Sequence, residues 1–126
     1  MDFKQFFDPK NIDLDVPNDP VIQTLQMLDK AKFNIVIFSG RSKATKDATV
    51  QWLKKYDVPF NVLKMRPTTH PFAYMKDDDL KKHWLDTIFP DWQKNRIVAV
   101  FDDRDQVVKM WRSNNIPCFQ VNYGDF

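Results

Sequence analysis

Residues 97–111, IVAVFDDRDQVVKMW, constrain this chain more than any other stretch. Five apolar residues, Ile97 to Phe101, run directly into Asp102 and Asp103. An amphipathic stretch follows, with Val107, Val108, Met110 and Trp111 as its apolar members. A short apolar run with turn chemistry behind it reads as a buried strand of a parallel sheet, because a strand covered on both faces needs no polar alternation. The stretch after it reads as a helix. In open α/β sheets ligands bind at the carboxyl ends of strands. Two adjacent carboxylates at such a point suit a hard cation such as Mg²⁺, which takes oxygen ligands and only one or two of them from protein. The alternative is local: Asp103 caps the helix and Asp102 is solvated.

The rest of the chain supplies the partners such a strand needs. Asp19-Pro20 reads as an N-cap and first helical residue, with Val21, Ile22, Leu25 and Leu28 on one face up to Lys30. Phe33 to Phe38 is a second apolar, β-branched run and reads as a buried strand closed by Ser39-Gly40-Arg41. A helix is expected from Thr45 to Tyr56, broken by Val58-Pro59. Phe60 to Leu63 reads as a short strand, 65–77 as irregular, and Leu80, Trp84, Leu85 and Ile88 as a helix stopped by Pro90. Phe119 to Val121 reads as a last strand. Helix and strand alternate throughout, which is the pattern of an α/β fold with a mostly parallel sheet and flanking helices, joined by right-handed crossovers.

Bulk properties fit one domain spanning residues 1–126. A hydrophobic content of 43%, including 11 Phe and 4 Trp, is enough to build a core. The net charge of +2 neither predicts nucleic-acid binding nor excludes it. The lone Cys118 lies in an apolar context and reads as a core thiol, and a single cysteine points to a reducing compartment. No stretch reaches transmembrane length and no signal-peptide pattern opens the chain, so a cytoplasmic location without membrane contact is expected.

Two further places could carry chemistry. Ser39, Gly40 and Arg41 end a strand, where a hydroxyl and backbone N–H groups can hold a phosphate oxygen. An ordinary turn with Ser39 bonded locally explains the same residues. Lys81 follows Asp77, Asp78 and Asp79 at a helix start. It can neutralise a phosphate or developing charge, or pair on the surface with the first-turn acids. His70 and His83 lack metal-ligand spacing and read as surface residues, while Trp52, Trp84 and Trp111 read as core.

As a set, strand-SGR, a downstream Lys and strand-DD resemble the haloacid dehalogenase superfamily of phosphatases. The likeness is closest to the phosphatase domain of phage polynucleotide kinase-phosphatases. FDDRDQVVKMWRSNNIPCFQVNYGDF is similar to that family's closing segment, and IVIFSGRSKATKDATVQWLKKYDVPFNVLKMRP to its middle. The resemblance implies a Rossmann-like fold and a Mg²⁺-dependent phosphatase acting on nucleotide or polynucleotide 3′-phosphates, in the host cytoplasm if the gene is a phage's. It implies Ser39 as the hydroxyl that binds the transferred phosphoryl group, with Gly40 in the same turn, and Arg41 near the substrate phosphate. Lys81 matches the lysine that steadies nucleophile and phosphate, and Asp102 and Asp103 match the acid pair that holds Mg²⁺. Where the family usually has an Arg six residues before that lysine, this chain has Met75, followed by Lys76.

The family's nucleophile lies in a DxDGT segment on the first, central strand, expected ahead of residue 1. Asp13-Leu14-Asp15 repeats the D-x-D spacing, but no apolar strand precedes it and no Gly-Thr follows. The expected fold therefore lacks the usual central strand. Three arrangements would close the gap: direct pairing of the Phe33–Phe38 and Ile97–Phe101 strands, ranked first; insertion of the segment with Phe3, Phe6 and Phe7; or a strand from a second copy or a partner chain. The functional alternative to a phosphatase is a catalytically inactive relative, or an accessory protein, that binds a phosphate ligand or a protein partner.

Overall fold

Helices and strands alternate as the apolar periodicity requires. The computed structural model describes residues 16–94 and 97–126; Phe3, Phe6, Phe7, Asp13 and Asp15 fall outside the described residues. The elements are α1 (Asp19–Lys30), β1 (Val36–Ser42), α2 (Lys46–Lys55), β2 (Val62–Arg66), α3 (Asp77–Ile88), β3 (Val100–Asp102), α4 (Asp105–Ser113) and β4 (Cys118–Gln120). They divide into two compact units, residues 16–68 and Thr69–Phe126. No helix among the described residues is long and apolar enough to cross a membrane.

In residues 16–68, α1 starts one residue earlier than expected. Asn18, not Asp19, is the cap, its Oδ1 accepting the Val21 N–H at 3.5 Å. Asp19 thereby enters the first turn, where its charge opposes the helix dipole favourably. Strand β1 begins three residues later than the apolar run. Asn61 brackets Ile35, accepting its N–H on Oδ1 at 2.7 Å while its own N–H donates back to the Ile35 carbonyl at 2.7 Å. The ladder can start only beyond that bracket. Phe33 stays 41% exposed. β1 and β2 run parallel from Val36↔Val62 to Ser39↔Met65, then the register slips before Ser42↔Arg66. Ser39-Gly40-Arg41 thus lies inside an irregular strand end and not beyond it. Ile37, Phe38, Trp52, Leu53, Val58 and Met65 form the core of this unit.

In Thr69–Phe126, α3 starts three residues ahead of its first buried leucine, because Asp77, Asp78 and Asp79 occupy the first turn. Its buried face is Leu80, Lys81, Trp84 and Leu85 together with Asp77. β3 and β4 are parallel, with Val100↔Cys118, Phe101↔Phe119 and Asp102↔Gln120 in register.

Two expectations fail here. The strand Ile97–Phe101 was expected to be buried, yet none of its five residues is, and Val98 is 44% exposed. Among the described residues β3 has a hydrogen-bonded neighbour on one edge only, and the Phe101 ring stacks on Phe119, itself 59% exposed. The acids that follow are what is buried. The direct pairing ranked first is also not formed: among the described residues β1 pairs with β2 and β3 with β4.

Leu53 is completely buried on α2. Leu53→Ala should lower the unfolding free energy by about 2–5 kcal/mol, read from urea unfolding. A loss below about 1 kcal/mol would show that this side chain does not anchor its unit.

Candidate functional site

The end of β3 delivers Asp102 and Asp103 to the interior, with 1% and 7% of their surface exposed. A buried carboxylate is costly unless its oxygens are satisfied, and those of Asp102 are. Its Oδ1 accepts the backbone N–H of Asp103 at 2.9 Å and of Arg104 at 3.4 Å. Its Oδ2 accepts from Lys81 Nζ at 3.2 Å and from the Trp111 indole N–H at 3.5 Å. The local alternative is thereby excluded on both counts. Asp102 is not solvated, and Asp103 does not cap α4, whose cap position is Arg104 with no side-chain cap bond.

Lys81 is fully buried on α3. Its Nζ lies 3.2 Å from Asp102 Oδ2 and 3.5 Å from Asp77 Oδ2, one helical turn back. The pairing with a first-turn acid is the one the helix spacing suggested, but it is buried, not a surface contact. Arg104 Nη1 approaches the same Asp77 oxygen at 3.9 Å. Asp77 and Asp102 thus share the Lys81 charge, with Arg104 beside Asp77. Burial pushes the Asp102 carboxyl up, but nearby positive charge, that of Lys81 first, together with the hydrogen bonds from Lys81 and the Arg104 N–H, holds it below the ordinary carboxylate value.

The donors suit Mg²⁺ in kind: hard, adjacent carboxylate oxygens, with the remaining positions left to water or phosphate oxygens. No group of three or more His, Cys, Asp or Glu side chains with metal-site geometry occurs among the described residues. A cation held by Asp102 would share that carboxylate with Lys81.

The strand-end turn lies in the other unit. Ser39 is fully buried and Arg41 is 2% exposed. Ser39 Oγ accepts the Arg41 backbone N–H at 3.2 Å, so the local bonding that an ordinary turn would show is present. That N–H is then engaged within the turn. Arg66, at the end of β2, donates from Nε to the Gly40 carbonyl at 2.8 Å and braces the turn from the neighbouring strand. Gly40 has no positive φ, so its backbone angles do not demand glycine.

Asp77, Arg104, Trp111 and Arg66 were not read from the sequence as site residues. Asp77 had a signal, its four-residue spacing from Lys81. Arg66 and Trp111 had none, since a strand-end Arg and a core Trp look the same whatever they touch. His83 is half-buried and stacked on Phe72, while His70 is exposed. Lys76, beside Met75, is exposed at the start of α3. Trp52, Trp84 and Trp111 are core residues as expected.

Two outcomes follow from these environments. A carboxyl held lower in the folded than in the unfolded chain stabilises fully above its unfolded value and loses that contribution as pH falls through its folded value. Asp102→Asn should therefore cost about 3–5 kcal/mol at pH 7. The gap to wild type should shrink below about pH 4, measured by urea unfolding across pH; a gap constant down to pH 2.5 would remove the ion pair as its source. Cys118 is buried, and desolvation, aided by the Asp102 charge, pushes its thiol up to about 11. Its alkylation by iodoacetamide at pH 8 should be slow in the folded chain and fast in urea; equal rates would contradict the burial.

Comparison with known proteins agrees over the whole length. The family described as polynucleotide kinase PNKP phosphatase domain matches residues 1–126. A putative bifunctional polynucleotide kinase/RNA ligase of Autographa californica nuclear polyhedrosis virus is 37% identical over 87 residues, covering 66% of this chain and 11% of the viral protein. A chain in the structure of the Pnkp1/Rnl/Hen1 RNA repair complex superimposes with a TM-score of 0.84 at 35% identity, over 98% of this chain and 38% of that one. A second structure of the Pnkp1/Rnl/Hen1 complex gives a TM-score of 0.83 at 37% identity, over 98% and 41%. The chain spans less than half the length of each of these relatives. With its α/β alternation, its parallel strand pairs and the acid pair at the end of β3, this chain belongs to the polynucleotide kinase phosphatase-domain family of the haloacid dehalogenase superfamily.

Proposed function

We propose that this chain is the phosphatase module of an RNA-repair protein and removes 3′-phosphate from polynucleotide ends with Mg²⁺. The observation that carries the reading is the fully buried Lys81 braced by Asp77 and Asp102, beside the buried Asp103. A lysine and three carboxylates desolvated together are costly to keep for stability alone, and grouped ionisable side chains of this kind mark functional sites. RNA as the substrate is supported by one solved relative, a chain of a structure described as an RNA repair complex. A cytoplasmic location, inside the host if the gene is viral, goes with that role.

In this reading Asp102 and Asp103 hold the cation, which when bound supplies positive charge to the phosphate oxygens. Lys81 keeps Asp102 ionised and oriented, and adds its own charge against the phosphoryl group. Ser39 offers its hydroxyl, and Arg41 its guanidinium, to phosphate oxygens.

The test is phosphate release from a 3′-phosphorylated RNA oligonucleotide, with and without Mg²⁺. It uses the protein that carries this chain, which should turn over only with Mg²⁺. Lys81→Met and Asp103→Asn should each lower kcat by about 100-fold or more. No Mg²⁺-dependent release, or release that both substitutions leave unchanged, would defeat the reading in favour of an inactive binding protein.

A further inference from the structure

The last residue of β4 and the segment after it touch each residue from Asp102 to Asp105, the stretch that carries the acid pair. The Val121 N–H donates to the Asp102 carbonyl at 3.1 Å. The Gln120 side-chain amide donates to the Asp103 carbonyl at 3.0 Å and to Asp105 Oδ1 at 2.6 Å, so one NH₂ group spans the loop. The Gly124 carbonyl accepts the Asp105 N–H at 2.6 Å. Arg104 donates from Nε to the Phe126 carbonyl at 2.7 Å and lays its guanidinium over the Phe126 ring, 5.4 Å from the centroid.

Gly124 brings its backbone against that of Asp103. It is buried, and a Cβ there would collide with the backbone carbonyl of Asp103. Its φ is not positive, so close approach, and not an unusual backbone angle, is what requires glycine. The obstacle is main chain, so a larger residue could be accommodated only by moving Asp103 itself. Gln120 is fixed in turn by the ladder, where it stands opposite Asp102.

We propose that residues 120–126 are a strap that positions the acid pair for its cation, with Gln120 and Gly124 as the positioning residues. The proposal rests on Asp102 and Asp103 being the cation's ligands. It adds that their geometry is set from outside the loop. Cations of the Mg²⁺ kind demand near-ideal placement of the few protein oxygens they take. Groups that hold such ligands typically govern affinity without touching the metal.

The test uses Mn²⁺ as the probe on the intact chain with no phosphate substrate, reading its dissociation constant by electron paramagnetic resonance and the metal-free melting temperature by circular dichroism. Gln120→Ala removes an exposed side chain and should leave the metal-free melting temperature within a few degrees of wild type. It should weaken Mn²⁺ binding by about 10-fold or more. Gly124→Ala should weaken it at least as much. If that variant does not fold, Gln120→Ala decides alone. Tyr123→Ala, on the same segment with its ring in solvent, should bind Mn²⁺ as wild type does. Wild-type affinity in Gln120→Ala would overturn the proposal and reduce the strap to a structural cover. Absence of Mn²⁺ uptake by wild type would overturn it together with the cation reading. Because no step reads phosphate release, failure of the hydrolysis proposal would be separately visible.

Discussion

The buried contact between Lys81 and Asp102 is the constraint around which residues 69–126 are arranged. Two unit charges removed from water lose several kcal/mol of solvation each, and direct pairing recovers that only when the remaining donors and lone pairs are also used. Here they are. Asp102 receives two backbone N–H groups, the lysine and an indole N–H, while the lysine has a second carboxylate in Asp77. The contacts come from α3, from the loop after β3 and from α4, so all three must be in place for the pair to be tolerated. Packing therefore serves the polar centre as much as the apolar one: Leu80, Trp84 and Leu85 bring α3 inward with Lys81 among them.

This arrangement explains an inversion along β3. Apolar residues 97–101 are partly exposed, whereas the two acids after them are buried. Apolar burial is roughly proportional to area and indifferent to direction, so a run of five apolar residues carries no instruction about where it must go. A carboxylate does carry one: it can be buried only where donors converge. The donors that converge on Asp102 are the Asp103 and Arg104 N–H groups ahead of α4, Lys81 from α3 and the Trp111 indole from α4.

The turn Ser39-Gly40-Arg41 follows a related logic, with a charged donor from the neighbouring strand. A register slip between Ser39 and Ser42 takes these residues out of regular pairing, and Arg66 restores a bond to the Gly40 carbonyl. An irregular strand end braced by a side chain from its neighbour is a common way to present polar groups at a fixed angle. The same slip explains why the strand continues to Ser42 when its apolar residues stop at Phe38.

The sequence by itself determined the alternation of helix and strand and the apolar faces of α1 to α4. Those properties follow from local periodicity and from residue chemistry, which are written along the chain. The limits of the elements were less legible. Asn18 and Asn61 set where α1 and β1 begin through hydrogen bonds that an apolar pattern does not register. The surroundings of the candidate site were decided by tertiary structure alone. Trp111 reaches Asp102 across nine residues, Arg66 reaches Gly40 across 26 and Arg104 reaches Phe126 across 22. No local periodicity encodes contacts of that span. Which donors meet a buried carboxylate is fixed only when separate elements pack, because desolvation penalises every arrangement that leaves its oxygens unmet.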